Sequence, residues 1–149
     1  IRFNDKGEFN NSLHYSRKGI NPDTLDKIIM DWSQHIQNVD FIADDYIVTT
    51  ASAKAGDIVY LDPPYFHTKG RYFGTIDFDR FLQYLEDLNT RGIKWILSFD
   101  GKRGNEDYTV DIPKNLYKRH EFIPSGNSTF KKVIDKETEK VLESLYLNY

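Results

Sequence analysis

The chain has 149 residues, a net charge of -3, ten tyrosines, ten phenylalanines and no cysteine. That length suits one domain or part of one, with room for a real core. The absence of cysteine excludes a disulfide framework or thiolate metal site, and His14, His35, His67 and His120 show no paired ligand spacing, so no metal is expected. No apolar run approaches a membrane span or follows a basic start, so a soluble intracellular protein without a membrane partner is expected, and the mild acidity argues against a coat for nucleic acid while allowing local basic patches.

The first segment, Arg2-Phe3-Asn4-Asp5-Lys6-Gly7-Glu8-Phe9-Asn10, places a glycine between two aromatic-bearing stretches, the pattern of a hairpin turn or bulge that presents Arg2 and Lys6 on a projecting edge. Arg17 and Lys18 form a basic turn, suited equally to phosphate or to water. Asn21-Pro22 then supplies a cap and a first-turn proline for a helix whose Leu25, Ile28, Ile29, Trp32 and Ile36 recur at helical spacing; this stripe is expected in the core. Residues 39–43 read as a short strand stopping at Asp44-Asp45-Tyr46, by residue type an exposed acidic turn.

The centre of the chain is Asp57-Ile58-Val59-Tyr60-Leu61-Asp62-Pro63-Pro64-Tyr65. Residues 58–61 are apolar throughout, which predicts a strand covered on both faces of a parallel sheet, and ligands bind beyond the carboxyl ends of such strands. Each proline fixes its own φ and bars the preceding residue from the helical region, so the turn is stiff. Residues 66–74 are a glycine-flanked loop of aromatic and basic side chains, able to close over a base and its backbone. Thr75 or Asp77 caps a helix carrying Phe78, Phe81, Leu82, Leu85 and Leu88, which Gly92 ends. Residues 93–99 form a second buried strand, completing a strand-helix-strand crossover, and residues 100–104 leave it as a loop whose Lys102 and Arg103 face phosphate or solvent. Residues 117–123 and 140–148 are expected as two further strands pairing at the sheet edge, with a turn-rich segment at 125–129 and Lys131-Lys132 between them.

The acid, prolines and ring of the central turn suit methyl transfer to the exocyclic amine of a nucleobase. That nitrogen's lone pair is delocalised into the ring until its hydrogens are held by acceptors. Asp62 supplies one acceptor and the Pro63 carbonyl a second, both fixed in advance, and Tyr65 offers a face for stacking a flipped base.

Asp62-Pro63-Pro64-Tyr65 resembles the signature of amino-group methyltransferases that use S-adenosylmethionine, and residues 2–10 resemble the hairpin in the target-recognition region of Dam-like DNA adenine methyltransferases. The likeness continues through residues 41–46 and 93–98. It implies an α/β, Rossmann-like methyltransferase sheet with part of a DNA target-recognition region, in a cytoplasmic enzyme of bacterial, archaeal or phage origin. It further implies S-adenosylmethionine as cofactor, held by Asp62, Asp45 and Tyr46, and double-stranded DNA as partner, met by Arg2, Lys6 and Asn10, with Arg2 reaching a base; Lys102 is read as a further DNA contact from the basic loop alone, without a motif behind it. Where the family often continues with Val-Pro after the hairpin, this chain has Asn11-Ser12, so no target sequence is assigned.

The glycine-rich turn that holds the cofactor's methionine and ribose is not found in the sequence. In the Dam-like order that element precedes the hairpin, so the chain is expected to be the carboxyl-terminal part of a larger or split enzyme, with the motif on an amino-terminal segment or a partner chain. Residues 1–38 then end the target-recognition region and carry a connecting helix, and residues 39–149 belong to the catalytic domain. Two other readings stay open: methylation of cytosine in DNA or guanine in RNA, and a non-catalytic DNA-binding or specificity fragment.

Overall fold

The computed structural model describes residues 6–8, 19–64, 76–127 and 140–149. Helices α1 (Pro22–His35), α2 (Tyr46–Thr49) and α3 (Phe78–Thr90) accompany strands β1 (Ile58–Leu61), β2 (Lys94–Arg103), β3 (Glu106–Asp107), β4 (Arg119–Asn127) and β5 (Lys140–Leu147). The sheet runs β1-β2-β5-β4, with β3 paired to β2. β1 lies parallel to β2 with α3 between them in sequence, and β5 is antiparallel to both β2 and β4. This mixed α/β architecture agrees with the fold class expected from the sequence.

The core sits between α3 and one face of the sheet. Trp95, Leu97 and Phe99 alternate along β2 and are fully buried with Phe81, Leu85 and Leu88 of α3, each such side chain contributing about 1.5–3 kcal/mol on burial. α3 begins at Asp77, whose carboxylate accepts from the Arg80 amide at 3.1 Å. It ends with Gly92 at φ 69, while the Gly92 amide donates to Asn89 O and the Ile93 amide to Leu88 O. A left-handed residue is required there to turn the chain back under the helix, and buried Ile93 and Leu88 complete the stop. Both ends of α3 thus stand where the sequence places them.

Elsewhere the expectations are corrected. Asn21 and Pro22 start α1 as read, but the helix has no buried residue, and Trp32 of the stripe assigned to the core is 63% exposed. Helical spacing shows that a face wants covering; among the described residues nothing covers it. The strand expected at 39–43 is absent, because no strand lies beside Phe41 and Ile42 to receive its backbone hydrogen bonds among the described residues. β1 is an edge strand with Ile58 59% and Tyr60 61% exposed, so only the Val59 and Leu61 side reaches the core. Residues 100–103, read as a loop, continue β2, which turns at Gly104 and pairs back through β3. The ladder to β5 shifts register between Phe99 and Lys102, and this irregularity absorbs the Asp100-Gly101 pair that looks like a turn in sequence. β4 extends through Ser125 to Asn127 for the same reason: β5 supplies partners for it. β4 and β5 do pair, with β4 alone at the edge. Among the described residues no helix is long and apolar enough to cross a membrane.

Candidate active site

The parallel ladder ends at Leu61 opposite Leu97, and one step further sets Asp62 beside Ser98. Asp62 is exposed, at the carboxyl end of β1, and Pro63 and Pro64 behind it are half-buried. Ser98 is 3% exposed and donates from Oγ to Asp62 Oδ1 at 3.0 Å. The acid is thus presented to solvent while one oxygen is tied to a central strand. Tyr65 lies outside the described residues, as does the loop at 66–74.

Asp45 and Tyr46 form a second group with Arg80. Asp45 caps α2, its Oδ1 accepting from the Ile47 amide at 2.9 Å and its Oδ2 from Arg80 Nη1 at 2.9 Å. The Ile47 amide, and after it Arg80, holds the carboxyl below the usual range against the opposing effect of burial. Tyr46 packs edge-on to Tyr84 and Phe81 at 4.9 and 6.0 Å between ring centres, and the Arg80 guanidinium lies 5.6 Å from its ring. Burial raises the Tyr46 hydroxyl's pKa, and that hydroxyl has no hydrogen-bond partner among the described residues. Arg91 fixes the chain that follows α2, donating to Thr50 O and Ala51 O while pairing with Asp87 at 3.0 Å. Asp45, expected by residue type in an exposed acidic turn, is instead a half-buried helix cap. The Asp62 and Asp45 groups share no hydrogen bond among the described residues.

Of the segment read as a hairpin, residues 6–8 are described: Lys6 is exposed and Gly7 has φ 76, a left-handed conformation that favours glycine. Arg2 and Asn10 lie outside the described residues. Lys102 stands on β2 rather than in a loop, with Nζ 3.5 Å from Asp107 Oδ2 and 4.7 Å from the Phe122 ring centre. Among the described residues no group of acids and histidines could hold a metal.

Ser98 and Arg80 were not singled out from sequence. A signal for Ser98 exists: aligning the ends of the two apolar runs sets the one hydroxyl-bearing residue of residues 93–99 beside the acid. Nothing local marks Arg80, whose partners lie 35 positions away.

A family model of D12 class N6 adenine-specific DNA methyltransferases matches residues 1–144. Type II methyltransferase M.FokI of Planomicrobium okeanokoites is 28% identical over 161 residues, an alignment covering 100% of this chain and 25% of that protein. Type II methyltransferase M.MjaIII of Methanocaldococcus jannaschii is 30% identical over 162 residues, covering 99% of this chain and 52% of that protein. The chain spans a quarter to about half the length of these relatives. With the match running from residue 1 through the Asp62 turn into β5, the chain belongs to the D12 class N6 adenine-specific DNA methyltransferase family.

Proposed function

We propose that this chain carries the methyl-accepting side of an enzyme that transfers a methyl group from S-adenosylmethionine to the N6 amine of adenine in a specific DNA sequence, in a cytoplasmic restriction-modification or Dam-like system. The observation that carries the reading is Asp62, an exposed carboxylate at the carboxyl end of a parallel strand in a D12 family chain, backed by two prolines. Asp62 accepts a hydrogen bond from one N6 hydrogen and the Pro63 carbonyl from the other, which returns the lone pair to nitrogen; because both acceptors are held in advance, little reorganisation is needed. Tyr65 stacks on the extruded base.

The residues present fit part of a cofactor site. The Tyr46 hydroxyl is buried without a partner next to the Asp45 cap, a polar pairing suited to the cofactor's adenosine, and Asp62 offers an anionic acceptor. S-adenosylmethionine, when bound, supplies an electrophilic methyl on a sulfonium. The edge of β1, unpaired among the described residues, and the exposed Ile58, Tyr60 and α1 stripe support a further segment, in the same polypeptide or a partner chain, that carries the glycine-rich cofactor motif and continues the sheet. Arg2, Lys6 and Asn10 meet DNA from the hairpin, Arg2 at a base edge. Lys102 reaches phosphate by exchanging its exposed Asp107 pair, a contact worth only about 0–1 kcal/mol in such settings.

The test is labelled-methyl transfer to DNA by the intact enzyme with Asp62→Ala. Turnover falls by about 2–4 kcal/mol in barrier height, by analogy with losing one preorganised oxyanion partner, while DNA binding is largely retained. Unchanged turnover at saturating cofactor and DNA removes Asp62 from the chemistry.

A further inference from the structure

We propose that Ser98 is a positioning residue for Asp62: its hydroxyl holds Oδ1, sets the rotation of the carboxylate, and leaves Oδ2 as the acceptor for the target amine. This inference rests on the assignment of Asp62 above.

The two prolines restrain the backbone at the turn but leave the side-chain torsions of Asp62 free. An exposed carboxylate without a side-chain partner samples several rotamers, and only some direct an oxygen at a bound base. Ser98 removes that freedom from below. It is 3% exposed and the single polar side chain between Ile93 and Phe99 other than Lys94 at the strand's start, and its Oγ lies 3.0 Å from Asp62 Oδ1. Burying a hydroxyl in such a strand is unfavourable unless it is hydrogen-bonded, and the carboxylate provides the bond. The hydroxyl is itself well anchored, because β2 is paired on both sides here, with β1 at Leu61 opposite Leu97 and with β5 at Ser98 opposite Leu145. An acid at the end of β1 is therefore tied to a central strand through one bond at Oδ1, and the residue as a whole stays exposed.

The intact enzyme is compared with its Ser98→Ala, Ser98→Cys and Ser98→Thr variants in steady-state and single-turnover methyl transfer, alongside DNA binding and thermal unfolding. Ser98→Ala and Ser98→Cys, which lose the strong donor, lower kcat by about tenfold to a hundredfold, the effect of a reacting group displaced by a fraction of an ångström to one ångström, with KM for DNA and the melting temperature little changed. Ser98→Thr, which keeps the hydroxyl on a residue suited to strands, restores kcat to within a few-fold. On an Asp62→Asn background, Ser98→Ala causes a smaller loss than it does alone, since the two act as one unit. Wild-type kcat in Ser98→Ala, or a loss of kcat in Ser98→Thr as large as that in Ser98→Ala, overturns the proposal. If Asp62→Ala abolishes turnover while Ser98→Ala does not, the positioning role falls and the reading of Asp62 stands; if Asp62→Ala is fully active, both fall.

Discussion

His120 shows what one side chain does when a sheet closes over it. Its ring stacks on Tyr146 at 4.1 Å and 4° between planes, with Tyr117 and Phe122 on other sides, and its Nε2 is buried without a partner among the described residues. Burial lowers its pKa below the ordinary value of 6.5; Asp107 opposes this and Lys102 adds to it. A base whose pKa is lowered in the folded state takes its proton first in the unfolded chain. Stability therefore falls as pH drops through 6.5, the loss being complete only below the folded-state value, and His120 exacts no penalty above that window. His120→Phe, which keeps the stack, should flatten this acid-side decline. Urea midpoints at pH 7.5 and 5.5 check it, and parallel decline of both proteins assigns the sensitivity elsewhere.

Among the elements, β2 meets a limit on added volume at Gly101. A Cβ built there lies 2.1 Å from Leu142 O and 2.8 Å from the Ser144 amide, so the irregular pairing with β5 exists only because this position has no side chain. Gly101→Ala should destabilise by about 1–3 kcal/mol through forced displacement of β5 backbone, read as a lower urea midpoint. A midpoint within error of wild type means that β5 moves aside at no cost. The same residue explains a misreading, since Asp100-Gly101 carries the local chemistry of a turn, and only the distant partner β5 makes it strand. Local signals served where they sufficed. Asp77 and Gly92 bound α3 because capping is decided within a few residues, and the two prolines marked Asp62 for a like reason. Ser98 escaped notice because its role depends on strand register 36 positions away, and the stripe of α1 was wrongly assigned to the core because amphipathic spacing does not say what covers the face. The run at 58–61 misled similarly: composition records what a strand is built to meet, and Ile58 and Tyr60 meet solvent among the described residues.

At the scale of the whole molecule, both ends of the sheet are edges among the described residues, and they differ in what they expose. β4 forms one edge with mostly exposed side chains, whereas β1 leaves an apolar face at the other among the described residues. If a further segment of the enzyme covers this side, Ile58→Lys and Tyr60→Lys should behave differently in two contexts. In the isolated chain they replace exposed side chains, so unfolding stability changes by no more than about 0.5 kcal/mol and self-association falls. In the intact enzyme the same lysines bury charge and lower the melting temperature. Sedimentation of the isolated chain and thermal unfolding of the intact enzyme provide the comparison, and equal tolerance in both places the missing contacts elsewhere.

The order of strands also carries a consequence for synthesis. β2 lies between β1, made before it, and β5, whose last residue is Leu147. At about 5–20 residues per second, a ribosome takes a few seconds to travel from Arg103 to Leu147. Through that interval Trp95, Leu97 and Phe99 can meet α3 while their strand still offers a free edge. The nascent chain thus passes through a state in which the strand that carries Trp95, Leu97 and Phe99 is ready to pair with a strand from any neighbour. Slow translation or crowding on polysomes should favour aggregates nucleated by β2, and early arrival of β5 should suppress them.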